Sequence, residues 1–219
     1  MVLGEFCTVL EEKLDDLFSD LRDGAPVRED SRAFGAMIEK RITDNWEDLC
    51  KSIGSEPIPH PGRRTIYDFA CTLEGQLFGF DVKTKDLDST RYSDGGVCAV
   101  GNLFKFLAND SGIFVVVEVA HQEAEDRTKR RLEDIKVAPF HLLPEDTYRI
   151  ENLGTGQVRL NYSITETQDR INWDRSMHEF FDVFGELAIK HYERVKRDAD
   201  GRAESVKAFL SNGYQNFRL

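Results

Sequence analysis

The stretch IYDFACTLEGQLFGFDVKTK, residues 66–85, predicts two β-strands joined by a tight turn. Apolar residues dominate both halves, and Glu74-Gly75-Gln76 between them is typical of a short hairpin turn. Because side chains alternate along a strand, one face of the second strand is predicted to hold Phe78, Phe80 and Val82 and the other Leu77, Gly79, Asp81 and Lys83. The fold is expected to be organised around this hairpin.

Charged side chains on this hairpin predict a metal site. Asp81 and Lys83 share one strand face, and Asp68 at the start of the partner strand can close on the same point. Carboxylates are suitable Mg²⁺ ligands, so Asp68 and Asp81 are the predicted metal ligands. Such a metal site could hydrolyse a phosphodiester. In that reaction Lys83 is predicted to orient or deprotonate the attacking water, or to stabilise the charge on the scissile phosphate. Charged groups are rarely buried without a partner or a metal, so their place in an otherwise apolar strand favours a metal site. A plain Asp–Lys surface pair is the alternative.

A helix upstream supplies a further acid. From about Ser31 the apolar residues recur at helical spacing, and Glu39 lies beside the stripe that contains Ile42 and Trp46. We expect Glu39 at the edge of the buried face, as a further metal ligand or a group that positions a metal-bound water.

The patterns in the rest of the chain predict an α/β (α+β) protein with a central mixed β-sheet flanked by helices and a helical C-terminal part. Helices are predicted over residues 4–22, 31–49, 97–109, 138–143 and 174–210, the last broken near 198–201. Strands are predicted over residues 113–120, 148–153 and 157–164, and irregular or exposed segments over 54–64, 86–96 and 121–136. The chain is interpreted as a single domain with four parts: an N-terminal helix (1–30), a catalytic core (31–120), a loop and β-hairpin (121–165) and C-terminal helices (166–219).

Charge and composition limit the function classes. The net charge of −11 argues against binding nucleic acid through bulk positive charge. Residues 1–30 hold nine acids and three bases, however, so a local basic cleft elsewhere remains compatible with the sequence. No apolar run is long enough to span a membrane, and the N-terminus has no basic region typical of a secretory signal. We therefore expect a cytoplasmic protein without a membrane partner.

The hairpin motif resembles that of the PD-(D/E)XK nucleases, and of type II restriction endonucleases in particular. Tyr67-Asp68 matches the first half of the motif, with Tyr67 where the family usually has proline, and Asp81-Val82-Lys83 matches the second. The helical segment at residues 35–40 is similar to the HincII subgroup, and the C-terminal layout to the SwaI type. The resemblance covers about residues 31–120. It implies a restriction-endonuclease-like fold, Mg²⁺ as cofactor, and homodimers that cut palindromic double-stranded DNA.

Candidate DNA contacts flank the motif. Basic, aromatic and amide side chains occur just before the hairpin, just after it, and on the later β-ribbon, where they could hold phosphates or read base edges. The candidates are Arg63, Arg64, Lys85, Arg91, Tyr92, Gln157, Arg159 and Asn161. Exposed residues with no such role are the alternative for the loop positions.

Two other functions remain open on the sequence alone. One is a repair or junction-resolving nuclease with the same fold, and the other is a non-catalytic member that binds DNA or protein.

Overall fold

The computed structural model describes residues 2–23, 31–59, 65–89, 96–123, 129–151, 156–161 and 163–212. Its strands are β1 (Glu56–Ile58), β2 (Phe69–Leu73), β3 (Gln76–Asp86), β4 (Gly96–Ala99), β5 (Ile113–Glu123), β6 (Arg130–Pro139), β7 (Tyr148–Glu151) and β8 (Gln157–Leu160). Its α-helices are α1 (Leu3–Leu17), α2 (Ser31–Ser52), α3 (Val100–Phe104), α4 (Ile164–Thr167) and α5 (Met177–Asn212). Within these residues the strands form a mixed sheet in the order β1-β2-β3-β5-β6 and a small sheet in the order β4-β8-β7. The predicted α/β class with a helical C-terminal part is confirmed.

The β2–β3 hairpin forms as predicted. The strands pair antiparallel with Phe69 opposite Phe80, and the turn places Glu74 and Gly75 at φ angles of 52° and 81°. Glycine accepts a positive φ without strain, which favours this tight connection. Phe78 and Phe80 point into one hydrophobic core beneath α1 and α2, as the alternation predicts. The opposite face of the hairpin, with Gly79 against the rings of Tyr67 and Phe106, borders the second core.

The connection from β3 to β5 runs through α3, and the two strands are parallel. Every residue of β5 from Phe114 to His121 is buried, which explains why this stretch is apolar apart from Glu118 and His121. The helix predicted over 97–109 is shorter than expected. Its first residues belong to β4, α3 begins at Val100, and a π-helical turn covers Lys105–Asn109. Val97 and Cys98 are buried as strand residues, so their apolar character reflected β-pairing.

Two strands lie in segments for which irregular or exposed structure was predicted, and those predictions were wrong. β1 occupies part of residues 54–64 and pairs antiparallel with β2 at the edge of the sheet. β6 occupies part of residues 121–136 and pairs antiparallel with β5. Leu132 and Ile135 of β6 are buried while the charged residues between them are half-exposed. A charged edge strand with few inward side chains resembles a loop in composition.

The C-terminal helix α5 is continuous, so the break predicted near residues 198–201 was wrong. Residues 196–211 are all exposed, and no packing constraint there opposes helical backbone. A glycine such as Gly201 costs an exposed helix about 1 kcal/mol, which is too little to end it.

The helix predicted over 138–143 is shorter than expected: β6 extends to Pro139, and a 3₁₀ turn covers Phe140–Leu142.

Glu118 of β5 anchors the C-terminal part of the chain to the sheet. Its carboxylate is 1% exposed and accepts hydrogen bonds from the backbone N–H groups of Ile164 and Thr165, at 3.0 and 3.2 Å. The hydroxyls of Ser163 and Thr165 also donate to it. The carboxylate therefore caps the N-terminus of α4, where helix N–H groups lack partners.

Among the described residues, no helix is long and apolar enough to cross a bilayer.

We expect Glu118→Ala to lower the free energy of unfolding by about 2–4 kcal/mol, because it leaves several buried donors without an acceptor. Chemical denaturation measures the change. Glu123→Ala, at the exposed end of the same strand, is the control and should change stability by less than about 0.5 kcal/mol. Equal effects of the two substitutions would contradict the anchoring role of Glu118.

Candidate active site

Asp68 and Asp81 meet where the β2–β3 ladder ends. The Asp68 N–H donates to the Phe80 carbonyl at 2.8 Å, and Asp68 Oδ2 accepts from the Val82 N–H at 2.8 Å. Asp68 therefore continues the strand pairing with its side chain, and the register carried on by one residue places it opposite Asp81. The backbone of β3 fixes the Asp68 carboxylate, so its position does not depend on a flexible loop.

Asp81 and Lys83 form a shielded ion pair on the predicted face. Asp81 is 4% exposed, and Lys83 Nζ donates to its Oδ1 at 2.8 Å. The second oxygen, Asp81 Oδ2, is buried and has no hydrogen-bond partner among the described residues. A buried acceptor without a partner is costly, because desolvation is not offset by a bond. The plain surface pair considered from the sequence is therefore excluded for Asp81.

Glu39 lies on α2 near this pair. Ile38 and Ile42 anchor the helix in the core, and a Cβ atom on Gly35 would lie 3.1 Å from the Thr84 hydroxyl, so α2 approaches β3 closely. Partial burial and the nearby Asp68 raise the pKa of Glu39, while Lys83 lowers it. The side chain is thus close enough to interact electrostatically with both ends of the hairpin site.

The pKa of Asp81 is raised from its usual 3.8 to about 7. Burial is the largest cause. Repulsion from Asp68 and Glu39 adds to it, and the Lys83 ammonium opposes it. Asp81, Asp68 and Glu39 together therefore offer more negative charge than Lys83 alone can balance.

The donor set suits a magnesium ion held by few protein ligands. In the described part of the chain, no three His, Cys, Asp or Glu side chains are grouped closely enough to form a metal cage. Mg²⁺ commonly binds through one or two carboxylates and keeps several waters, so Asp68 and Asp81 are sufficient as direct ligands. The unpartnered Asp81 Oδ2 is the atom that such an ion would satisfy.

The candidate DNA contacts differ in their burial and in the neighbours that surround them. Lys85 lies half-buried on β3, on the face that carries Asp81 and Lys83. On β8, the Arg159 guanidinium is 3.0 Å from Glu151, and the side chain of Gln157 lies against Gly96. Asn161 donates to the Asp146 carbonyl and accepts from Arg149, so it stabilises the loop before β7. The remaining candidates, Arg63, Arg64, Arg91 and Tyr92, lie outside the described residues.

A cleft beside Asp68 was not predicted. It measures about 210 Å³, and its lining combines the apolar Trp46, Phe69, Pro57, Ile58 and Pro59 with the polar Thr43, Glu47 and Asp68. We call it the Trp46 cleft. In sequence Trp46 was interpreted as an ordinary member of the apolar stripe of α2. The two prolines that line the cleft lie in the segment for which no strand was predicted.

Stability in the absence of metal should depend on the burial of Asp81. Between pH values near 4 and 7 the folded protein holds a proton on Asp81 that the unfolded chain has lost, so the stability of the wild type falls as the pH rises through this window. Because Asn cannot ionise, Asp81→Asn lacks this loss of stability. In EDTA, its free energy of unfolding relative to that of the wild type is therefore expected to rise by on the order of 4 kcal/mol from about pH 4 to about pH 8.

Urea denaturation at the two pH values gives this difference. Asp44→Asn, an exposed acid on α2, is the control and should alter stability by less than about 0.5 kcal/mol at either pH. A variant less stable than the wild type at the higher pH would show that Asp81 is not buried as a strained carboxylate.

Comparison with known proteins adds a likeness of fold. No family model matches the chain, and no curated protein sequence is similar to it. Among solved structures, the chain is similar to the restriction endonuclease BglI bound to its DNA recognition sequence, with a TM-score of 0.36 and 12% identity over 78% of this chain and 85% of that chain. Those values are too low to assign a subgroup or to carry a function, so the HincII-like and SwaI-like features stay predictions.

Proposed function

We propose that the protein is a Mg²⁺-dependent endodeoxyribonuclease, a type II restriction enzyme that hydrolyses double-stranded DNA at a specific, palindromic sequence. The observation that supports this most strongly is Asp81 Oδ2, a buried carboxylate oxygen without a hydrogen-bond partner among the described residues, in a side chain whose pKa is shifted by two further acids and one lysine. Such an arrangement is unfavourable in the protein alone. It becomes favourable once a divalent cation is bound, which is the usual requirement of phosphodiester hydrolysis.

Asp68 and Asp81 would hold Mg²⁺. When bound, the ion polarises the phosphoryl oxygens and lowers the pKa of its water. The rest of the chemistry belongs to the chain. Because the Val82 N–H fixes Asp68 and the Lys83 ammonium fixes Asp81 Oδ1, both carboxylates are positioned before substrate arrives.

Lys83 and Glu39 have complementary roles in this proposal. The Lys83 side chain is 22% exposed, so its ammonium can donate to Asp81 and also to a phosphate or an attacking water at the surface of the site. Glu39 is more exposed, and its raised pKa makes it a better proton acceptor than an ordinary glutamate. It is suited to hold or deprotonate a water next to the carboxylates.

Cleavage of plasmid and phage DNA with Mg²⁺ tests the proposal. We expect discrete fragments from the wild type, and a loss of at least about 10²-fold in rate for each of Asp68→Asn, Asp81→Ala and Lys83→Ala, since each removes a charged group from the transition state. Thermal melting of each variant verifies folding.

Lys51→Ala is the control, because this lysine is exposed at the far end of α2 and its loss should leave the rate unchanged. Discrete fragments from Asp81→Ala at the wild-type rate would overturn the site. Smeared or end-dependent products from the wild type would favour the repair-type nuclease, and absence of cleavage with Mg²⁺ or Mn²⁺ would favour a binding protein.

The proposal includes a homodimer, because two copies related by a two-fold axis place one site on each strand of a palindrome. The second half of α5 offers a surface for it. Val206, Phe209 and Leu210 are each more than 50% exposed there, and apolar side chains grouped on a projecting helix favour a helical partner.

Light scattering should give twice the monomer mass of 25.1 kDa for the wild type, and the monomer mass for Phe209→Glu. Ser205→Glu adds the same charge to an exposed, polar position of the helix and should leave the dimer intact. A monomeric wild type, or a dimeric Phe209→Glu protein, would remove α5 as the interface.

A further inference from the structure

The Trp46 cleft adjoins the candidate metal site through a shared side chain. Asp68 lines the cleft, and its Oδ2 is held by the Val82 N–H directly beside Asp81. A group bound in the cleft would therefore lie next to a phosphate held at the two carboxylates. The occupant has to belong to the molecule that is cleaved, or to compete with it.

The apolar wall of the cleft is rigid. The Trp46 Nε1–H donates to the Ala70 carbonyl at 3.0 Å, and its ring centroid lies 5.2 Å from that of Phe69 and 5.3 Å from that of Phe80. The indole is therefore fixed in orientation before a ligand binds. A rigid lining that contains an indole, a phenyl ring and two prolines favours a flat, apolar-faced ring, because little conformational entropy is lost on binding.

The polar groups of the cleft accept hydrogen bonds. Glu47 and Asp68 contribute carboxylates, and the Thr43 hydroxyl already donates its proton to the Glu39 carbonyl at 2.8 Å. Acceptors and negative charge exclude a phosphate from the cleft and favour a neutral ring with N–H groups. The volume of about 210 Å³ is below the roughly 300–1,000 Å³ of pockets for drug-sized ligands, and it suits one heterocycle.

We infer that the Trp46 cleft binds one unpaired nucleobase of the DNA strand that is cleaved, next to the scissile phosphate. This rests on the proposed nuclease function and narrows its substrate. A paired base has its faces and its edge covered, so it must leave the stack before it can enter. DNA that already carries an unpaired nucleotide at this position avoids that cost, so it should bind more tightly than the fully paired duplex.

The test compares three end-labelled duplexes of one sequence: fully paired, with one bulged adenine, and with an abasic site in place of that adenine. Affinities are measured by fluorescence anisotropy with Mg²⁺ and Lys83→Ala protein, which keeps both carboxylates. The adenine bulge is expected to bind between about 5- and 150-fold more tightly than the abasic bulge, the range that stacking of a base on an aromatic side chain accounts for.

One variant in the cleft and one beside it test whether the preference for adenine arises in the Trp46 cleft. Thr43 is exposed and lines the cleft, so Thr43→Phe in the same background fills it without disturbing the core, and the preference for adenine should disappear. Asp44→Phe places the same side chain on the next exposed residue of α2, outside the cleft, and should keep the preference. Equal affinity for the adenine and abasic bulges, no binding to any duplex, or a preference that survives Thr43→Phe would overturn the inference.

Cleavage by the wild type separates this inference from the proposed function. If the wild type cuts plasmid DNA but binds the two bulges with equal affinity, the proposed nuclease function is supported and base binding in the Trp46 cleft is contradicted. A Thr43-dependent preference for adenine without cleavage of any DNA would support the cleft and remove the nuclease.

Discussion

The burial of Asp81 is the constraint on which the rest of the site depends. A carboxylate that is 4% exposed inside an apolar strand must keep a proton, find cations, or destabilise the fold. Lys83 satisfies one of its oxygens, and Asp68 and Glu39 add negative charge nearby. The protein alone therefore leaves the site short of positive charge, which is the electrostatic condition for binding a divalent metal ion.

The hairpin tolerates the buried Asp81 carboxylate because its backbone is fixed by strand pairing on both sides and by packing on both faces. β3 is paired on one side with β2 and on the other with β5, and hydrophobic cores cover both faces of the sheet. Asp68 replaces a strand partner at the point where the β2 ladder ends, so the hydrogen bond that extends the strand pairing also fixes the carboxylate of the candidate site. Strain at a functional site persists when the surrounding fold enforces it.

The sequence predicted what depends on local pattern. Alternation along residues 77–84 and the helical stripe of α2 were sufficient to bring Asp68, Asp81 and Lys83 together, with Glu39 nearby. The edge strands β1 and β6 were missed because pairing with a neighbour, not their own composition, makes them strands. The Trp46 cleft was missed for a related reason: its lining comes from α2, β1 and the start of β2, and only tertiary packing brings these segments together.

The net charge of −11 is compatible with DNA binding because of where the acids lie. The acidic helix α1 packs against β6 at one edge of the sheet, whereas the site lies towards the other edge, where α2 covers β1, β2 and β3. Charges separated by more than the Debye length of about 8 Å in physiological salt are largely screened. Under the proposed function, the acids closest to a bound phosphate are Asp68, Asp81 and Glu39, and a bound Mg²⁺ would offset their charge. On that proposal, the chain would bind DNA weakly without metal and gain affinity with it.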